Sequence, residues 1–490
     1  MINTTFAAPE VYAAVRDAAI TGLRIIKEFE AGRGYIWEHY DFPKMGVFAS
    51  GLPHFSKVFD SDKVPKDYKS VFRDDRSPDK IPEWQPFYAL ADSNETLRRY
   101  FDDRSMWNME RDGVAEIIER HRKHSIGYAI EKFLDRYVHL AKKKEFDEAA
   151  FIPLYLEWEN AVFGDKVVFD ILVPLLMVTC DFDELDIAEG LRVEKMSEPF
   201  QLARSAEHRF LVSANECVVG AATHALVFQH WFLKNDEPRL IRSESLTSAE
   251  GFREVIERAD HFFAALRAVA GVETGYCQLL IRPDGWCDDG RAHLPQVEFI
   301  PLRSYPDHFE HYGWLRKPPT LDIASCAEAG KLYTALTTLK KNQLLVAARR
   351  LNLAMLRSSE QDSILDVAIA LETLLVEDGA KGEINHKLAI RLAALCKMRP
   401  FEAYQPTDIF GLCKKLYEFR SAVAHGSQDM SKKRLIKVRD AKEPIEAIVL
   451  GTSLLRHVIR FLADRPEYLV ARNLDMTLLG SEASAEEATK

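Results

Sequence analysis

A chain of 490 residues is longer than one hydrophobic core usually serves, so two or three domains are expected. Its composition, 47% hydrophobic and 29% charged, is typical of a globular protein, and the net charge of −10 excludes a surface that is basic throughout. Nucleic acid would therefore have to bind at a local basic patch. The seven cysteines are scattered without a CxxC pair, which argues against a zinc ribbon or a disulfide framework and favours the cytoplasm.

The first 150 residues are predicted to be mostly helical, with one long irregular segment. Helical patterns cover residues 9–30 and 113–145, whereas residues 42–95 are rich in Pro, Asp, Lys and Ser. The N-terminus lacks the cationic start of a signal peptide. No apolar run approaches the roughly 20 residues that a membrane-spanning helix needs, so no membrane partner is expected.

Residues 151–318 are predicted to form a mixed α/β region that senses a trigger or restrains the rest of the chain. A helical pattern covers residues 248–271. Runs of β-branched and aromatic residues predict strands in KVVFDILVPLLMV, HALVFQHWFL, GYCQLLI and QVEFI.

Beyond the two prolines at 318 and 319 the pattern is almost wholly helical, which predicts an antiparallel bundle over residues 322–470. Ser358 is expected to cap the second helix, and Thr407 or Asp408 the fourth. The last residues, GSEASAEEATK, are small and charged, and residues 471–490 are predicted to be a disordered tail. The predicted fold is multidomain: a mixed α/β N-terminal region followed by an all-α bundle. The helices are expected at residues 328–357, 358–379, 383–397, 406–420 and 443–463.

The fourth predicted helix carries an arginine on its apolar side. On a wheel of about 100° per residue, Arg420 falls within the apolar stripe. A buried, unpaired guanidinium is costly, so Arg420 needs either an anionic partner such as Glu372 or a solvated cleft. Gly426 suits the left-handed position just past a helix end, which places His425 at the terminus. There His425 is either a simple cap or a functional group.

Three sequence features occur in order over residues 330–465: ALE at 370–372, IRLAALC around Arg391, and LYEFRSAVAHG at 416–426. In this order and spacing they resemble the ApeA-like branch of the HEPN superfamily. The resemblance implies a HEPN-like helical bundle that dimerises and pairs two R-x4-H motifs for metal-independent RNA cleavage. It implies that Arg420 and His425 are the catalytic pair. Ser421 stands where many HEPN nucleases have Asn, His or Asp.

The residue types suit this chemistry. RNA supplies its own nucleophile, the 2′-hydroxyl group; a histidine can act as general base or acid, and an arginine can hold the phosphate. One copy supplies one histidine, so separate acid and base roles need two copies or a water molecule. Glu372 is a candidate for orienting Arg420, and Tyr417 for stacking on a base. No metal or cofactor is expected.

The resemblance also implies a biological role. It implies a toxin-like nuclease of anti-phage defence by abortive infection, which cuts RNA, with tRNA as one candidate, after a phage-derived trigger. Two other functions remain open: a non-catalytic HEPN-like module for dimerisation or for nucleotide or RNA binding, and an enzyme in the N-terminal region.

A basic segment, SKKRLIKVRD at residues 431–440, follows the motif directly. It is expected either to grip the RNA backbone or to be a solvated loop. Two other polar runs, DFDELD at 181–186 and HRKH at 121–124, are interpreted as a surface turn and an exposed helix face, not as metal sites. The candidate RNA-binding residues are Lys432, Lys433, Arg434, Lys437 and Arg439.

Overall fold

The N-terminal region consists mainly of helices that pack around a core rich in aromatic side chains. The computed structural model describes residues 5–39, 42–58, 64–102, 114–208, 214–339, 341–376, 383–438 and 443–480. The first helix begins with Pro9 at its first position, where a missing N–H costs nothing. Trp84 lies at the centre of this core, fully buried. The elements are α1 (Pro9–Ala31), β1 (Trp37–Glu38), β2 (Pro43–Val47), β3 (Pro53–Lys57), β4 (Lys66–Asp67), α2 (Gln85–Ser93), α3 (Glu95–Phe101), α4 (Val114–Ala141) and α5 (Glu148–Phe163).

The segment predicted to be irregular is more ordered than its composition indicates. Residues 43–57 form the antiparallel hairpin of β2 and β3, and short 3-10 turns lead from Tyr68 to Trp84. Proline-rich stretches suit such turns because proline fixes φ near the helical value. In the HRKH run on α4, Arg122 pairs with Asp92 and Asp102, and the other three residues are exposed.

The middle region is built on a six-stranded antiparallel sheet with the strand order β11-β10-β5-β9-β8-β7. The four strands predicted from β-branched and aromatic runs are confirmed as β5, β9, β10 and β11. The elements are β5 (Lys166–Pro174), β6 (Thr179–Cys180), β7 (Glu184–Ala188), β8 (Leu191–Lys195), α6 (Glu198–His208), α7 (Glu216–Gly220), β9 (His224–Lys234), α8 (Arg239–Thr247), α9 (Arg253–Ala270), β10 (Tyr276–Asp284), β11 (Glu298–Ser304) and β12 (Thr320–Leu321).

The DFDELD run lies at the start of the β7–β8 hairpin. Arg192 of β8 pairs with Glu184 and Asp186, and Lys195 pairs with Asp183. These carboxylates therefore have cationic partners across the hairpin, as a surface acidic turn requires.

The C-terminal region is helical, but the first expected helix is split. Residues 328–357 were expected to be continuous, whereas α10 and α11 are separate, with Lys341 in an extended conformation between them. Three threonines precede the break and donate hydroxyl hydrogen bonds to carbonyls four residues earlier, which weakens and bends helices. The elements are α10 (Ile323–Leu339), α11 (Asn342–Leu356), α12 (Glu360–Leu375), α13 (Ile384–Met398), α14 (Pro406–Ala424), α15 (Met430–Lys433), β13 (Leu435–Ile436), β14 (Ile445–Glu446), α16 (Ala447–Asp464) and α17 (Ala471–Leu478).

Two predicted caps are each displaced along the chain. Ser359, not Ser358, caps α12 by accepting the Asp362 N–H. Gln405 precedes α14, and Asp408, expected as a cap, instead returns a hydrogen bond to the Gln405 N–H from the third helical position.

The predicted tail is partly helical. Asp475 of α17 accepts two hydrogen bonds from Arg391 of α13, at 2.9 and 2.7 Å, and Arg391 also donates to the last carbonyl of α12, that of Leu375. This bidentate pair, in which Arg391 is buried and Asp475 partly exposed, holds residues 471–478 against the bundle. Residues 481–490 lie outside the described residues.

The helical region and the sheet share one hydrophobic core. Helix α9 packs on the sheet with one side and against α10, α11 and α16 with the other. The fully buried Arg267 of α9 bonds to Asn352 of α11, and Arg456 of α16 donates to the carbonyls of Ala268 and Val269. The composition change near residue 318 therefore marks a change of structure type within a continuous core. Within the described ranges, no helix combines the length and apolar character needed to cross a membrane.

Candidate functional site

Helix α14 positions the R-x4-H motif. It packs against α12, α13 and α16 through an apolar stripe. At Gly451 of α16 an added Cβ would lie 2.9 Å from Leu416 and 3.1 Å from Val367, so this glycine lets the three helices approach closely. The stripe consists of Ile409, Leu412, Cys413, Leu416 and Phe419, all buried.

The end of α14 confirms the predicted termination. Gly426 has φ of +62°, in the left-handed region, and its N–H donates to the Val423 carbonyl. The Ser427 N–H donates to Ala422 at 2.9 Å, which completes the hydrogen-bond pattern of a Schellman motif. His425 is the C-terminal cap, with an exposed side chain. A glycine-determined stop thus leaves the histidine accessible to solvent.

Arg420 lies at the margin of the apolar stripe. Phe419, only 2% exposed, occupies the buried centre, whereas the Arg420 side chain is 26% exposed. The helical wheel predicted that Arg420 lies inside the apolar stripe. In the structure the centre of the stripe is shifted by one residue, to Phe419, and Arg420 lies at its edge. Of the two alternatives expected for Arg420, an anionic partner or a solvated cleft, the anionic partner is present: Arg420 Nη2 lies 3.5 Å from Glu372 Oε1.

Tyr417 completes a three-residue cluster with Arg420 and Glu372. The guanidinium carbon of Arg420 is 5.2 Å from the centre of the Tyr417 ring, within the range of a cation–π contact. Burial, together with the neighbouring Glu372 carboxylate, raises the pKa of Tyr417. Neither Arg420 Nε nor Glu372 Oε1 makes a hydrogen bond within the described protein. Both atoms are buried, so the cluster contains two polar atoms without a hydrogen bond, although Glu372 Oε1 is paired with the Arg420 charge.

Ser421 is half-buried on the final turns of α14, and its carbonyl accepts the His425 N–H at 3.1 Å. The structure thus brings Arg420, Tyr417 and Glu372 together. It places Ser421 and His425 on the same helix end.

The basic segment is structured, and its members differ. Among its described residues, 431–433 belong to the short helix α15 and 435–436 to the strand β13, whereas 437 and 438 have no regular structure. Lys432 is 81% exposed, and Lys437 is also exposed. Arg434 is bound by Glu360 and by Glu446, at 2.9 Å from the latter, so it joins α12 to the β13–β14 pair. Arg439 lies outside the described residues.

One cationic residue beside the motif was not singled out from the sequence. The ammonium group of Lys415 on α14 donates to the Lys437 carbonyl at 2.8 Å, which brings Lys415 to the residue that directly follows β13. Lys414 and Lys415 are both exposed on α14. The sequence could have indicated these two lysines, because they lie on the same predicted helix as Arg420. Lys414, Lys415, Lys432, Lys433 and Lys437 are the basic residues of this surface that no carboxylate from another element binds in the described structure.

The arrangement can bind an anion and exchange a proton. A partly exposed guanidinium can hold a phosphate, and an exposed imidazole can accept or donate a proton. Among the described residues, the one group of His, Cys, Asp or Glu side chains with metal-ligand spacing is His39, Asp135 and His139, in the N-terminal region. Comparison with family models, with curated proteins and with solved structures gives no match to this chain.

Proposed function

We propose that this protein is a metal-independent endoribonuclease that acts as a homodimer through Arg420 and His425. One observation carries the proposal: α14 holds Arg420 partly exposed beside Glu372 and ends on the exposed His425. The resemblance of LYEFRSAVAHG and its preceding segments to ApeA-like HEPN domains supports the same assignment. On that resemblance the α10–α16 bundle is HEPN-like.

The reaction uses the nucleophile that RNA carries. One histidine accepts the proton of a 2′-hydroxyl group as its oxygen bonds to the adjacent phosphorus. The bond from phosphorus to the 5′-oxygen breaks, and that oxygen takes a proton from a second histidine. The products are a 2′,3′-cyclic phosphate and a 5′-hydroxyl end. Arg420 stabilises the charge on the phosphate oxygens, and Glu372 keeps the guanidinium in place before RNA arrives.

A homodimer follows from this chemistry, because each chain contributes one His425. The proposal is tested on the full chain, since α9 shares its core with α10, α11 and α16 and a cut at residue 322 would expose that face. Sedimentation of the full-length protein should give a dimer or a larger assembly. An active protein that sediments as a monomer at assay concentration would contradict the two-histidine site.

The proposed setting is the cytoplasm of a bacterium under phage attack. Residues 1–320 would sense a phage-derived trigger or restrain the bundle, and cleavage of RNA, with tRNA as the first candidate, would arrest the infected cell. This role rests on the resemblance alone.

A rival function has a specific observation in its favour. Arg420 already has an ionic partner in Glu372, as it would in a non-catalytic module for dimerisation or for RNA or nucleotide binding. Such a module would bind RNA without cutting it, so cleavage separates the two functions.

The deciding experiment is RNA cleavage in EDTA by the wild-type protein and by His425→Ala. His386→Ala is the matched control, because His386 is an exposed histidine of the same bundle on α13. We expect the wild type and the control to cut and His425→Ala to lose about 10²–10⁴ in rate. When expressed in bacteria, the wild type and His386→Ala should be toxic, and His425→Ala should be much less toxic. Equal cleavage by all three proteins would reject the site, and RNA binding without cleavage by the wild type would favour the rival module.

A further inference from the structure

A second cluster of polar side chains lies in the N-terminal region and plays no part in the proposed nuclease. His39 directly follows β1, and Asp135 and His139 lie one turn apart on α4. Each offers a nitrogen or oxygen atom, and these atoms all lie within 4.8 Å of one another. His39 and Asp135 are 7% and 1% exposed, so two polar groups are buried here without solvent.

The hydrogen bonding of the three side chains is incomplete. His39 Nε2 is 3.5 Å from Asp135 Oδ2, and His139 Nε2 is 3.6 Å from Asp135 Oδ1. Both distances exceed the roughly 2.7–3.2 Å of an N–H···O hydrogen bond. Neither His39 Nε2 nor Asp135 Oδ2 makes a hydrogen bond within the described protein, although both are buried. Buried polar atoms are nearly always paired, so these two indicate a ligand.

The spacing of the cluster fits a shared metal ion. In a tetrahedral zinc site the ligand atoms lie about 2.0–2.2 Å from the ion, which sets neighbouring ligands about 3.3–3.6 Å apart. His39 Nε2 and Asp135 Oδ2 are 3.5 Å apart, and one ligand atom from each of the three residues lies within 4.8 Å of the other two. Two imidazoles and one carboxylate form a donor set that zinc and similar transition metals prefer over calcium or magnesium.

Backbone contacts fix the cluster in place. Asp135 Oδ1 accepts the Tyr68 N–H at 2.9 Å, and the His39 N–H donates to the Pro65 carbonyl at 2.9 Å. These two contacts are of the kind that orient ligands in metal sites. His139 Nε2 lies 2.8 Å from the Lys66 carbonyl, and this nitrogen must give up that contact to bind an ion, because a nitrogen that carries a proton has no lone pair for a metal. An ion here would join the β1 and β4 segments to α4.

We propose that His39, Asp135 and His139 bind one zinc-class divalent ion. With three protein ligands the ion keeps a fourth position, and His139 lines a cavity of about 420 Å³ beside it. Lysines surround this cavity, so water or a small anion suits the fourth position. These lysines are Lys142, Lys143 and Lys144.

The test uses the full-length protein, freed of any histidine tag and stripped with EDTA. Zinc is added in competition with a chromophoric chelator, and cobalt is added separately to record its visible spectrum. We expect one equivalent of zinc to bind, a higher Tm in its presence, and the intense cobalt absorption of a tetrahedral site. Loss of an outer-shell partner costs metal affinity about 10–100-fold, so His39→Gln and His139→Gln should lose at least as much.

His293→Gln is the matched control, because His293 lines the same cavity but lies outside the cluster. It should bind zinc as the wild type does. Circular dichroism shows whether each variant folds, and His139→Gln, on the partly exposed side of α4, keeps the test valid if His39→Gln does not fold. The proposal is overturned if the folded wild type binds no zinc, or if both ligand variants bind zinc as tightly as the wild type does. The three residues would then be a polar cluster that binds no metal. RNA cleavage does not enter this measurement, so the two proposals fail independently.

Discussion

Arg420→Ala separates catalysis from structure more sharply than any other substitution in the bundle. The ion pair with Glu372 spans 3.5 Å, and at an effective dielectric constant of about 20 two unit charges at that distance attract by about 5 kcal/mol. Both side chains retain solvent contact, at 26% and 23% exposure, so dehydration and side-chain ordering offset most of this attraction. We expect a net loss of about 1–2 kcal/mol, well below the roughly 3–5 kcal/mol of a fully buried pair.

The catalytic loss should be much larger. A group that stabilises developing charge contributes about 10²–10³ in rate, so Arg420→Ala should lower RNA cleavage by at least that factor while the protein still folds. A thermal melt and a single-turnover cleavage assay on the same preparation give both quantities. Tm should fall by about 1–4 °C.

Arg399→Ala is the matched control for this prediction. Arg399 also belongs to the bundle and pairs with Asp464 at 2.8 Å, with 35% of its side chain exposed, but it lies outside the motif. We expect a similar small drop in Tm and unchanged cleavage. If Arg420→Ala cuts RNA at the wild-type rate, or loses activity only in proportion to unfolded protein, the catalytic assignment of Arg420 is wrong.

Three further predictions concern other parts of the chain. The double variant Lys432→Ala/Lys433→Ala should weaken RNA affinity and reduce the slope of log K against log salt concentration by about 1–2, because each phosphate contact releases counterions. Arg434→Ala should instead lower Tm and leave that slope unchanged, because Glu360 and Glu446 already bind Arg434. Asp288→Asn should cost about 3–5 kcal/mol by thermal or urea unfolding, because it leaves the buried Arg242 without its counter-charge; an effect under about 1 kcal/mol would contradict this. Glu131→Gln should increase the free energy of unfolding by more at pH 8 than at pH 5. Equal increases at the two pH values would refute a raised pKa for Glu131.

The pH dependence of the last two predictions follows from opposite pKa shifts. Burial raises the pKa of Glu131 from 4.5 to about 8, so the folded state retains a proton that the unfolded chain loses, and stability falls as pH rises through this window. Burial opposes ionisation of Asp288, but Arg239 and Arg242 outweigh it and lower its pKa. Its contribution is therefore present above the ordinary pKa of about 3.9 and is lost as pH falls below it.

Local periodicity was sufficient to predict much of the fold. Helix α1, the strands β5, β9, β10 and β11, and the glycine stop of α14 were all predicted from patterns spanning a few residues. In each case the deciding forces act between near neighbours: one-sided burial, β-branched side chains, and the freedom of Gly426 to adopt a positive φ. The same reasoning predicted that Arg420 needs either an anionic partner or a solvated cleft, and Glu372 lies beside it.

Only the tertiary structure decided which distant groups meet. The order of residues 471–478 depends on the pair between Arg391 and Asp475, and the role of Arg434 depends on carboxylates from two other elements. The cluster of His39 with Asp135 and His139 joins a loop to a helix that lies far along the chain. Sequence spacing constrains side chains within one helix or strand, but contacts between elements depend on how the whole core packs. For that reason the sequence determined most of the elements and the arginine–histidine motif, and the packed fold determined the partners of its charged side chains.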